Sequence, residues 1–335
     1  MPELPEVETV CRGLRQQLEG KRLRRVEARR KDLRIALPKD LAQRMTGRRV
    51  QEIRRRAKYI LLDLDDGTTV IMHLGMSGRI LMTQGKPNAL DKHDHVLMET
   101  DDDVHLRFND ARRFGLITLA PRAALAKHPL FRHLGPEPLD DGFDGPVLAA
   151  ALKGRRTPIK AAILDQQTVV GVGNIYACEA LFHAGLSPKR VAATVQGERA
   201  DKLVAAIKTV LTKAIAAGGS SLRDYVQTSG ELGYFQHEWA VYGREGQRCP
   251  DCTCKGGVKR LVQANRSTFY CAKRQRRRRS PKGSPQRHRG TEMACRRMWS
   301  APLDEESPRG ARRRSPERGT PHQAASHLRV SVPLW

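Results

Sequence analysis

The first apolar run has helical spacing: Val7, Val10, Cys11, Leu14 and Leu18 recur every three or four residues, with Pro5 at the start and Gly20 closing the run. This predicts a helix from about residue 5. The period then shortens. Between about 22 and 120, alternating or β-branched runs occur at 59–64, 68–74 and 115–119, separated by turns such as Asp65-Asp66-Gly67 and Gly75-Met76-Ser77-Gly78. A β-sandwich packed against the N-terminal helix is predicted. Leu134-Gly135-Pro136-Glu137-Pro138 marks a boundary, and from about 147 to 217 helical spacing returns, as in Leu203, Ala206, Ile207, Val210 and Leu211, until Gly218-Gly219 ends it. A loop and short hairpin over 219–240 lead to a cysteine-rich segment. The fold class is α+β, divided as 1–135 sandwich, 136–240 helical, 241–274 cysteine hairpin and 275–335 tail.

Charge narrows the partners. The 335 residues carry 61 Lys and Arg against 36 Asp and Glu, a net +25, with pI near 10.4. That balance points to a polyanion, and to nucleic acid over a membrane surface. No apolar run approaches the ~20 residues of a membrane span, and the N-terminus lacks a signal-peptide layout. A monomeric, soluble, cytoplasmic protein is expected. From residue 272 onward the chain holds 17 Lys and Arg against 5 Asp and Glu, +12 of the total, with almost no apolar periodicity. Of the seven cysteines, Cys11 and Cys178 fall singly in helical patterns and Cys295 in the tail, whereas Cys249, Cys252, Cys254 and Cys271 crowd together. In a reducing compartment such a cluster reads as metal-binding before it reads as disulfide.

The extreme N-terminus is chemically suggestive. Pro2 is small enough for methionine removal, which would expose a secondary amine with an ordinary pKa near ~8. The positive end of the following helix disfavours its protonation, and Glu3 lies beside it to move a proton. On local features alone, Pro-Glu-Leu-Pro-Glu reads first as a plain helix start with acids in its first turn. Lys58, in Arg54-Arg55-Arg56-Ala57-Lys58, alone reads as part of a solvated or phosphate-contacting face. His93, Asp94 and His95 invite a metal reading but lack a third convincing ligand.

Met1-Pro2-Glu3-Leu4-Pro5-Glu6-Val7-Glu8-Thr9-Val10 resembles the N-terminal signature of the formamidopyrimidine-DNA glycosylases, bacterial base-excision repair enzymes that remove oxidised purines such as 8-oxoguanine. The resemblance runs nearly continuously over 2–271. It implies damaged double-stranded DNA as partner, Pro2 as Schiff-base nucleophile, Glu3 as acid at the sugar, Lys58 as helper in β-elimination and Arg266 in δ-elimination. A base inside a duplex must be flipped out to be reached, leaving a hole in the stack. The resemblance makes Met76, Arg112 and Phe114 the fillers, in His73-Leu74-Gly75-Met76-Ser77-Gly78 and Asn109-Asp110-Ala111-Arg112-Arg113-Phe114-Gly115. It makes His93 and Arg156 DNA contacts. The stretch 159–177, with Gly171-Val172-Gly173-Asn174, is similar to the family's helix-two-turns-helix, whose turn brings backbone N–H groups and Asn174 against phosphates, Lys160 adding a further contact. Residues 218–225 correspond to the loop that closes over the flipped base.

The family also implies a structural zinc finger. Sixteen residues separate Cys254 from Cys271, the family's interval, and Cys249 with Cys254 forms the first knuckle, Cys252 being an inner alternative. The second knuckle should end in a cysteine where Arg274 stands. A frame change just after Cys271 and a genuine added basic tail both account for the missing ligand and the break in composition. Three thiolates alone hold zinc weakly, so the finger that carries Arg266 is expected to be compromised unless Cys252 substitutes. Two rivals stay open: an endonuclease VIII-like enzyme for oxidised pyrimidines, against which Leu4 counts, and a catalytically impaired DNA-binding protein.

Overall fold

The alternating runs of the first half form two antiparallel sheets. The computed structural model describes residues 1–220, 235–250 and 252–276. Helix α1 (Leu4–Leu18) is followed by β1 (Leu23–Ala28), the short helix α2 (Leu41–Met45), β2 (Val50–Arg56), β3 (Tyr59–Leu64), β4 (Thr68–His73), β5 (Arg79–Gln84), β6 (Asp94–Thr100), β7 (Val104–Asn109) and β8 (Leu116–Pro121). One sheet has the order β1-β6-β7-β5 and the other β2-β3-β4-β8.

Strands β3 and β4 are apolar almost without alternation because both of their faces are covered. Ile60, Leu62, Leu64, Val70 and Met72 join the sandwich interior, while Leu61 and Ile71 pack outward with Ala120 and Phe131. Periodicity did not predict α2 or the 3-10 helix Arg122–Lys127, each too short to show a helical repeat.

The second half contains α3 (Gly145–Leu152), α4 (Ile159–Leu164), α5 (Asn174–His183) and α6 (Glu198–Ala216), then the hairpin β9 (Val258–Gln263) and β10 (Arg266–Cys271). Of the hairpin expected within 219–240, residues 221–234 lie outside those described, and Phe235–Glu238 form a 3-10 turn instead. The apolar face of α6 packs with α3, α4 and α5 into a core of its own.

Helix α1 belongs to both halves. Leu4 is buried in the helical core, whereas Val7, Val10, Cys11, Leu14 and Leu18 are buried in the sandwich. The chain's first turn is thereby fixed at the junction. Met1–Arg278 form one compact unit; the second unit, Arg279–Trp335, which includes nearly all of the basic tail, lies outside the described residues. Among the described residues no helix is long and apolar enough to cross a membrane.

Candidate active site and nucleic-acid interface

Glu3 is the N-cap of α1, and its carboxylate reaches the start of α5. It accepts the backbone N–H groups of Gly173 (2.8 Å), Ile175 (3.0 Å) and Tyr176 (3.4 Å). These are donors that a helix start leaves unpaired, and an anion there is favoured by the helix dipole. The approach needs Gly173, since a Cβ at that position would lie 2.2 Å from the Glu3 carboxyl carbon. Pro2 is buried immediately beside this contact. In the Gly171–Asn174 turn, expected to cradle phosphates, the Gly173 N–H is given instead to this internal carboxylate, together with two N–H groups of the first turn of α5.

Glu6 closes the same turn of α1. Its carboxyl accepts the Glu3 N–H (2.8 Å), the Tyr176 hydroxyl (2.5 Å) and the Ser220 N–H (2.9 Å). Burial, and then the neighbouring Glu3, raise its pKa above the ordinary carboxylic range. Burial and Glu6 likewise push the Tyr176 phenol well above its usual value. Ser220 belongs to the 218–225 loop assigned to the flipped base, whose residues 221–225 lie outside those described.

Lys58 enters from the sandwich on the β2–β3 turn, where Ala57 adopts a left-handed φ of 53°. The ammonium is buried and donates to the Val172 carbonyl at 3.4 Å, next to the Glu3 site. Burial is the main reason its pKa falls below that of an ordinary lysine; Arg266 adds to the fall, while Glu3 and Glu6 oppose it. Glu137, within the boundary segment, clamps this turn. It accepts from the Ala57 N–H and the Arg56 guanidinium through one oxygen and from Arg55 through the other, each at 2.6 Å.

Arg266 opens β10 after a two-residue turn, Ala264-Asn265, with φ of 46° and 58°, the left-handed pair a tight hairpin requires. It is half-buried, and its guanidinium forms no hydrogen bond among the described residues, while its charge bears on both Lys58 and Lys160. Lys160 departs from expectation. It is 1% exposed, and its three donors go to Asn174 Oδ1 (2.6 Å), Thr268 Oγ1 (2.7 Å) and the Ser267 carbonyl (3.2 Å). With no donor left for a phosphate, it ties the helical half to the hairpin. Asn174 Nδ2 also donates to the Ser267 carbonyl, at 3.0 Å.

The two expected wedge turns meet. A Cβ on Gly75, where φ is +63°, would come within 2.4 Å of the Phe114 backbone. The buried Asp110 carboxylate accepts from Ser77 Oγ (2.6 Å) and the Gly115 N–H (2.7 Å), locking one turn to the other. Phe114 stands 44% exposed with the Arg112 guanidinium 4.9 Å from its ring centre, and Met76 is half-buried beneath the same turns. His93 is half-buried, and Arg156 is exposed. The metal reading of His93-Asp94-His95 fails: the Asp94 carboxylate accepts from Asn109 and the Asp91 N–H, and His95 Nε2 bonds the Asp110 carbonyl. His73 uses Nδ1 to accept the Gly75 N–H (2.9 Å), and burial, with Lys58 and Arg34, lowers its pKa to about 3, so the ring stays neutral.

The cysteine segment is anchored on α5 by Glu179, whose carboxylate accepts the N–H groups of Ala240, Val241 and Tyr242. The sulfur atoms of Cys249, Cys252, Cys254 and Cys271 all lie within 4.8 Å of one another. A tetrahedral four-thiolate site with metal–sulfur bonds of about 2.3 Å has edges of about 3.8 Å. The donor set fits, and these four cysteines could bind a metal ion. Of the two readings of the finger that the sequence leaves open, the sulfur positions fit the one in which Cys252 joins the cluster. Glu6, Tyr176, Glu137 and Glu179 were not singled out from the sequence, where nothing local distinguishes a carboxylate that closes a contact across the fold.

Comparison with known proteins agrees with this geometry. The family model described as the formamidopyrimidine-DNA glycosylase N-terminal domain matches residues 1–117, and that for the formamidopyrimidine-DNA glycosylase H2TH domain matches 134–226. Formamidopyrimidine-DNA glycosylase of Rhodospirillum centenum is 54% identical over 290 residues, covering 82% of this chain and 100% of that protein; its namesake from Rhodospirillum rubrum is 56% identical over 284 residues, with the same coverage. Among solved structures, MutM (Fpg) of Thermus thermophilus is 40% identical, with a TM-score of 0.73 over 82% of this chain and 98% of the other. Lactococcus lactis Fpg in complex with DNA containing an abasic site is 32% identical, with a TM-score of 0.75 over 82% and 100%.

Proposed function

The chain belongs to the formamidopyrimidine-DNA glycosylase family, and we propose that it excises oxidised purines from duplex DNA and then cleaves the strand through a covalent intermediate on Pro2. The observation that carries this reading is that Glu3, next to Pro2, and Lys58, from the sandwich, both bond the backbone at the start of α5. With Met1 in place, the Pro2 nitrogen is a tertiary amide; its removal leaves a secondary amine beside two helix N-termini, which disfavour protonation.

The amine attacks C1′ of the damaged nucleotide, the glycosidic bond breaks, and the base departs with a proton. Glu3 supplies the acid that opens the sugar ring, leaving an iminium between the Pro2 nitrogen and C1′. Lys58 assists loss of the C2′ proton, which expels the 3′ phosphate. Arg266 assists the second elimination, which expels the 5′ phosphate, and water then frees the amine. Met76, Arg112 and Phe114 fill the vacated stack. Asn174, Arg156 and His93 contact the backbone, with Lys160 holding Asn174 and β10 in place. The cysteine cluster would hold one zinc ion, which would stiffen the hairpin that carries Arg266 and supply no chemistry to the bond changes.

Borohydride trapping on an 8-oxoguanine:cytosine duplex tests the nucleophile. The processed chain should form a covalent adduct, and a chain carrying a residue retained before Pro2 should form none; equal adduct from both would overturn the assignment. Excision of 8-oxoguanine in preference to thymine glycol separates this activity from that of an endonuclease VIII-like enzyme.

A further inference from the structure

We propose that Cys252 is the fourth ligand of a one-sided zinc site, three thiolates coming from 249–254 and one from Cys271, while Arg274 and Gln275 do the anchoring that a second ligand on the β10 side would otherwise do. This rests on the zinc reading above and adds to it the ligand set and the division of labour.

Three observations carry it. Cys252 Sγ lies 3.4 Å and Cys254 Sγ 3.5 Å from Cys271 Sγ, so the inner cysteine stands in the cluster on the same terms as its neighbour. Arg274 does not approach the cluster with its side chain. Its guanidinium lies 4.8 Å from the ring centre of Phe182 and donates to the Phe182 carbonyl (3.1 Å) near the end of α5. Its backbone N–H, in contrast, points to Cys271 Sγ at 3.5 Å. Gln275 completes the pin: it is 2% exposed, its Oε1 accepts the Cys271 N–H (2.8 Å), and its Nε2 donates to the Leu186 carbonyl (2.9 Å). The segment after Cys271 is thus fitted to α5 through residue 275, four positions beyond the point where a frame change was considered.

A thiolate held by zinc is shielded from alkylation, and both metal and shielding are lost to a chelator. The full-length chain purified with zinc should contain one zinc per chain. Iodoacetamide followed by mass spectrometry should find Cys249, Cys252, Cys254 and Cys271 all protected, and all four reactive after chelation. If Cys252 reacts equally fast with and without zinc while the other three are protected, the proposal is overturned and the zinc reading stands; absence of zinc overturns both. Cys252→Ser should lose zinc to a chelator faster by on the order of a hundredfold, the upper end of what removal of a mere outer partner costs. Arg274→Ala should keep zinc at the wild-type rate but melt at lower temperature. Equal zinc loss from the two variants would overturn the division of labour. The alkylation map uses the unmodified chain and decides the question even if a variant fails to fold.

Discussion

Lys58 shows how a single residue is positioned by others far away in sequence. It stands on a left-handed alanine, and Glu137, some eighty residues on, neutralises Arg55 and Arg56 and accepts the Ala57 N–H at the base of the same turn. Burial raises the pKa of Glu137, but Arg55, the Ala57 N–H and Arg56 outweigh it, so the native pKa is depressed. The stabilisation from this carboxylate is therefore present above the ordinary value of about 4.5 and is lost as pH falls through the lower native value. Glu137→Gln should cost about 3 kcal/mol in urea unfolding at pH 7, and the difference from wild type should shrink in acid. Lys58 itself titrates below the ordinary lysine value of 10.5. The rate of β-elimination on a preformed abasic site should rise with pH through a midpoint below that value, and Lys58→Arg should abolish the rise; a midpoint at the ordinary value would speak against the buried lysine as base. Pro2, Glu3 and Lys58 could be singled out from the sequence because the segments that carry them resemble a known family. Glu137 could not, since its importance exists only once two guanidinium groups are brought to it.

At the scale of elements, the start of α5 explains both what periodicity could read and what it could not. The glycine-rich turn announced a helix N-terminus open to an anion, which the resemblance assigned to DNA phosphate. Here it is the Glu3 carboxylate from α1, and the glycine is required for that approach. Gly173→Ala should displace Glu3 and lower base excision by on the order of a hundredfold, comparable to losing a positioned acid, with only a small change in melting temperature. Gly142→Ala, where an added Cβ meets nothing within 4 Å, should leave excision unchanged. Activity that survives Gly173→Ala would mean that the Glu3–α5 contact is dispensable. The strands were legible from alternation and the long helices from their repeat, whereas α2, with five residues, is held by burial of Leu41 and Met45 in a core that no local window contains.

Over the whole molecule, charge and packing separate cleanly. The two Rhodospirillum relatives are matched along their full length by 82% of this chain, about the share that precedes its basic tail. Residues 277–335 hold 14 Lys and Arg against 5 Asp and Glu. A chain ending at Arg276 should still be trapped on damaged DNA, while its binding to undamaged duplex should weaken and depend less steeply on salt, as fewer counterions are released. An unchanged salt slope would mean that the tail does not touch DNA.

The double membership of α1 has a consequence in time. The first turn of the helix is made first by the ribosome, but Leu4 has no core to enter, and Glu3 no helix start to meet, until residues around 171–176 have emerged. A nascent or truncated chain can therefore carry an exposed amine at its tip without the fixed geometry that makes it a DNA-cutting group. Synthesis of the second half acts as the safety catch on a nucleophile placed at the very beginning of the first.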